Sequence, residues 1–157
     1  MSKGRYVDIF VEPDANASCG YAFRMEEGGL STNRLVFDKH HDDMAKDEQH
    51  KIHFKLHNTK GAQLCFAKDK DKVLWATEVF DPTGDECPCP GDSFDGLYVD
   101  PTVYPQDRVL TVINTNMKKQ FFAFALNFVR EGEDEGRDTQ YVCFDPIGEN
   151  RNGGRIA

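Results

Sequence analysis

Gln120-Phe-Phe-Ala-Phe-Ala-Leu-Asn-Phe-Val129 decides the fold class of this chain. Successive side chains of a strand alternate, so Phe122, Phe124, Leu126 and Phe128 fall on one pleat face, and Phe121, Ala123, Ala125 and Val129 on the other. A strand that is apolar on both faces is covered on both. The next stretch, Arg130-Glu-Gly-Glu-Asp-Glu-Gly-Arg-Asp138, is charged and carries two glycines. Beyond it Gln140-Tyr-Val-Cys-Phe-Asp-Pro146 resumes the apolar pattern, and the two runs predict one hairpin with a long solvated loop.

Working outward, the same alternation predicts strands at 5–11, 21–25, 34–37, 51–57, 61–67, 72–80 and 109–114. Glu12-Pro13 is expected to stop the first, and Glu26-Glu-Gly-Gly29 to separate the second from the third. Between Asp81 and Pro105 proline, glycine and aspartate dominate, so regular structure is expected to be sparse there. Many short strands with almost no helical periodicity describe an all-β protein. The expected architecture is an antiparallel β-sandwich of immunoglobulin-like type, with a small barrel as the runner-up. In it 120–129 is central, flanked by 109–114 and 140–145.

At 157 residues and 39% hydrophobic, the chain is expected to form a single domain, 1–157. Its net charge of -8 opposes binding to nucleic acid or to an anionic membrane surface, and leaves self-association as the open partner class. The opening Met1-Ser-Lys-Gly-Arg-Tyr6 leads into a run too short for a signal-peptide apolar region, and no stretch of about 18 apolar residues occurs. The expected location is the cytoplasm.

Five histidines and five cysteines raise the question of a metal. His53 and His57 share the wetter face of a strand, but four residues of strand separate them by about 13 Å, too far for one ion. A site recruiting His40 or His41 with Asp42 stays open. Cys87-Pro88-Cys89 has neither redox nor zinc-knuckle spacing, and Cys65 and Cys143 sit in apolar runs as buried thiols do. No metal or other cofactor is expected.

Three of the seven prolines follow aspartate: Asp81-Pro82, Asp100-Pro101 and Asp145-Pro146. Such a bond is weak because the aspartate carboxyl can attack its own main-chain carbonyl, giving a cyclic anhydride and releasing the comparatively basic proline nitrogen. The same pair is also a common turn opener.

Val109-Leu-Thr-Val-Ile-Asn-Thr-Asn116, Phe122-Ala-Phe-Ala-Leu-Asn-Phe128 and Cys143-Phe-Asp-Pro-Ile-Gly-Glu-Asn-Arg-Asn-Gly-Gly154 together resemble the bacterial DP-EP family of small β-sandwich proteins. The resemblance implies self-cleavage after Asp145, with Asp145 as nucleophile or water-activating acid and Pro146 as leaving group. Burial behind aromatic side chains is expected to raise the Asp145 pKa and keep a proton for the departing nitrogen. Glu149 is the candidate second carboxylate, in the manner of aspartic proteases. Capture of the activated carbonyl by an amine is the competing outcome. The facing strand offers Asn127 at its central inward position and keeps Lys118 and Lys119 in a turn, which favours hydrolysis. The alternative function is a non-catalytic β-sandwich that binds a partner or self-assembles.

Overall fold

A computed structural model describes residues 3–32, 34–37, 50–79, 88–93, 96–100, 108–115 and 120–150. Those residues contain twelve strands and no helix: β1 Lys3–Pro13, β2 Tyr21–Glu27, β3 Leu30–Thr32, β4 Arg34–Phe37, β5 His50–Asn58, β6 Leu64–Phe66, β7 Leu74–Val79, β8 Leu97–Val99, β9 Val109–Asn114, β10 Gln120–Arg130, β11 Val142–Phe144 and β12 Ile147–Asn150. They form two six-stranded sheets, the first in the order β3-β2-β1-β5-β9-β8, the second built on β10. Each strand has only two edges. β6 and β7 therefore share one edge of β10, and β11, β12 and then β4 lie on the other.

Local chemistry explains most boundaries. Gly28 and Gly29, with φ of 61° and 83°, turn β2 tightly into β3, a conformation that favours glycine at both positions. Val7, Ile9 and Val11 of β1 and Ile52, Phe54 and Leu56 of β5 are buried, as their alternation predicts. Phe122, Phe124, Leu126 and Phe128 of β10 enter the same core. Phe124 meets Phe54 of the first sheet at 5.9 Å between ring centroids, and Phe128 meets Phe23 at 5.3 Å. Arg5 ties the sheets together at one end. Its guanidinium donates to both carboxylate oxygens of Glu27 and, at 2.6 Å, to the Val36 carbonyl of β4, while lying over the Phe37 ring.

Several expectations need correction. Both sheets are mixed, not antiparallel: β1 runs parallel to β5, and β12 parallel to β4. The chain leaves the first sheet after β3, supplies β4 to the second and returns for β5, so β1 and β5 are joined by a crossover. Side-chain alternation is the same in either direction and could not show this. Neither sheet closes on itself, which removes the barrel. Strand 109–114 does not flank β10; as β9 it lies between β5 and β8 in the first sheet. Pro13 stays in β1 as its last residue, paired with Tyr21, where its missing N–H costs little. β3, β8 and β12 were not foreseen as strands.

Candidate functional site

β11 and β12 are one run in a single register, because Leu126 faces Phe144 and Ala123 faces Ile147 on the same edge of β10. Asp145-Pro146 interrupts that run. Phe124 donates its N–H to the Pro146 carbonyl at 3.1 Å. In an antiparallel ladder the same pair exchanges a second bond, but proline has no N–H to return to the Phe124 carbonyl. Pro146 is buried on the core side. Asp145, one residue out of phase, turns its backbone N–H and carbonyl away from β10, toward the side on which β4 begins at Arg34. A groove of about 580 Å³ lies there, lined by Phe23, Arg24, Met25, Thr32, Phe144 and Pro146 among others.

Asp145 is exposed on the groove side, yet partial desolvation still raises its carboxyl above the ordinary range. Desolvation is the only cause of that rise. Cys143, two residues earlier on the same face, is pushed up to about 11, first by burial and then by the charge of Asp145. Its thiol donates to Oδ1 of Asn127 at 2.8 Å and is a proton-holding neighbour, not a thiolate.

Asn127 has a different role from the one expected. It is fully buried, on the face opposite the aromatic core, at the break between β6 and β7. Nδ2 donates to the Lys72 carbonyl at 2.6 Å, its N–H donates to the Val73 carbonyl at 2.9 Å, and its own carbonyl accepts from Ala67 at 3.0 Å. It supplies the bonds that the interrupted ladder lacks, and Cys143 holds the register position opposite it. A lone amide in an apolar strand was the available signal for such a bracket.

Glu149 does not pair with Asp145. Four residues of strand place them about 13 Å apart, and Glu149 binds Arg34 at 3.1 Å. The expected carboxylate pair is not formed. Gly148, between them, packs directly beneath the Phe122 ring opposite it in register, so any Cβ there would collide with the ring. The groove residues of β2 and β3 were invisible in sequence, because the fold alone brings them beside Asp145, Phe23 stacking on Phe144 at 5.1 Å between centroids.

Asp100 shares the Asp-Pro chemistry of Asp145 but was not expected to break. It is 2% exposed and holds Lys51 at 3.4 Å. Asp81, His40, His41, Asp42, Cys87, Lys118 and Lys119 lie outside the described residues. His53 stacks on Tyr6 and shares a hydrogen bond with Thr111, while His57 stacks on Phe10 and binds Asp8 at 2.8 Å. Burial, then Lys51 and Lys55, hold the His53 pKa below its usual value. Among the described residues no three His, Cys, Asp or Glu side chains converge on a metal position, and no helix is long and apolar enough to cross a membrane. No protein-family model matches the chain, and no curated protein is significantly similar to it.

Proposed function

We propose that this chain is an immunoglobulin-like β-sandwich of DP-EP type that hydrolyses its own Asp145-Pro146 bond in the bacterial cytoplasm. One observation carries the reading. The exposed Asp145 carboxyl is partly desolvated, and its main-chain carbonyl is turned toward a groove beside a nitrogen that cannot join the ladder. The ring contacts between the two sheets support the sandwich. The free state of Cys19, Cys65, Cys89 and Cys143 fits a reducing compartment.

In the proposed reaction a carboxyl oxygen of Asp145 attacks the carbonyl carbon of the same residue, closing a five-membered ring. The carbon–nitrogen bond to Pro146 breaks, and the carboxyl proton passes to the departing nitrogen. Water then opens the cyclic anhydride, leaving Asp145 with two carboxyl groups and Pro146 with a free secondary amine. The raised pKa helps because it favours the protonated form, whose proton the departing nitrogen takes. Glu149 and Asn127 hold the strand in place and touch no reacting atom. A time course at neutral pH on denaturing gels tests this: the parent chain shortens and the Asp145→Ala chain does not. Equal shortening of both would end the proposal.

The second reading, a non-catalytic binding or self-assembly module, is favoured by the neighbouring ring stacks of β1 and β5, Tyr6 on His53 and Phe10 on His57, with Tyr6 59% exposed. It survives if the parent chain never shortens.

A further inference from the structure

We infer that the space between β10 and β4 is a peptide-binding slot, and that its ligand after cleavage is the 146–150 segment of a second copy of this chain. The inference rests on the proposed cut at Asp145-Pro146. β12 is an internal strand, with Gln120–Ala123 antiparallel on one side and Arg34–Phe37 parallel on the other. Removing it would expose two unpaired backbone edges, the arrangement that invites an added strand.

The slot has its own recognition features. Phe122 lies over Gly148, so only glycine fits at that register, and the ring covers the exposed backbone. The next side chain, Glu149, is largely buried and paired with Arg34. The preferred ligand is an extended peptide with glycine followed by an acid. Cleavage also changes the first residue of that peptide. In the intact chain the Pro146 nitrogen carries no hydrogen, whereas after the cut it is a secondary ammonium with two N–H donors beside the Phe124 carbonyl. The ladder position left open by proline gains a donor.

With Asp145-Pro146 intact, the tether keeps each segment in its own slot at high effective concentration. With it broken, a segment from a second copy makes the same contacts, and exchange costs no interaction. The test mixes equal amounts of cut chain, one unlabelled and one uniformly labelled with nitrogen-15, and follows them by native mass spectrometry. Hybrids of one body with the other copy's segment are expected to reach about half of the population by mass action. Gly148→Ala is expected to weaken retention of the segment by about ten- to a hundredfold, as overpacking does. Hybrids absent after days, or equal retention of the Gly148→Ala segment, would overturn the slot. Denaturing mass of the same samples is read first, so that failure to cut is seen separately. In that case a full-length variant with a site-specific protease sequence inserted between Asp145 and Pro146 is cut after folding and mixed in the same way. Hybrids then support the slot, and their absence overturns it.

Discussion

Asp100 and Asp145 both precede proline, and the fold gives them opposite surroundings. Asp100 is sealed in the first sheet, its N–H bonded to the Thr111 carbonyl at 3.0 Å and its carboxylate beside the Lys51 ammonium. Attack on its own carbonyl would have to give up that ion pair. Asp145 borders a groove beside the second sheet, exposed yet partly desolvated, and its carboxyl pKa is raised by that desolvation. The same residue is thus ion-paired and sealed in one place and partly exposed beside a groove in the other. On the proposed reading, any difference in reactivity between the two bonds comes from the fold, not from the dipeptide.

The largest expected effect tests the packing behind the poised site. Phe124 lies opposite Pro146 and against Phe54, and Phe124→Ala should cost about 3–5 kcal/mol in urea unfolding, as large-to-small aromatic core changes do. A cost under about 1 kcal/mol would deny Asp145-Pro146 its core backing. Next, Lys51→Met removes the ammonium that lies beside the buried Asp100 carboxyl. The expected cost is about 2–4 kcal/mol, somewhat under that of a fully buried pair because Lys51 is partly exposed. If the 100–101 bond then begins to break at neutral pH, the ion pair is what protects it. Gly148→Ala should cost about 1–3 kcal/mol through collision with Phe122, and no loss would mean that β12 is loosely held.

The smallest effect carries a sign. The folded-state pKa of Asp145 lies above its unfolded value, so its stabilising effect is complete at acid pH and is lost as pH rises through the folded value. Asp145→Asn removes that dependence. It should make the fold slightly more stable at neutral pH, by under about 1 kcal/mol for a group this exposed, with the difference closing on acidification. A variant less stable than the parent at neutral pH would mean that the carboxylate has a partner.

Period and composition made part of this legible. β4 and β9 begin and end where alternation places them, and β10 with β11 forms the antiparallel hairpin read from two apolar runs around a charged break. Pairing direction and sheet membership were not legible, since Val109–Asn114 is equally apolar beside β10 or beside β5. At the candidate site, the family resemblance singled out Asp145 among three Asp-Pro pairs, Glu149 was assigned by nearness along the chain, and Asn127 by its central position on the facing strand. Strand geometry separates Glu149 from Asp145, and Asn127 bonds to Lys72 and Cys143. β12 was missed because Ile147-Gly-Glu-Asn150 has too little apolar character to read as a strand, and because Gly148 acquires its meaning only under Phe122.

The difference between the two aspartates is tested most directly by the intact mass, in denaturing solvent, of purified protein aged at neutral pH. The predicted result is a pair of fragments, 1–145 and 146–157, with no break at 100–101, and an Asp145→Ala chain that stays whole. A chain that remains intact at neutral pH, and breaks only in hot acid at all Asp-Pro bonds alike, would contradict it.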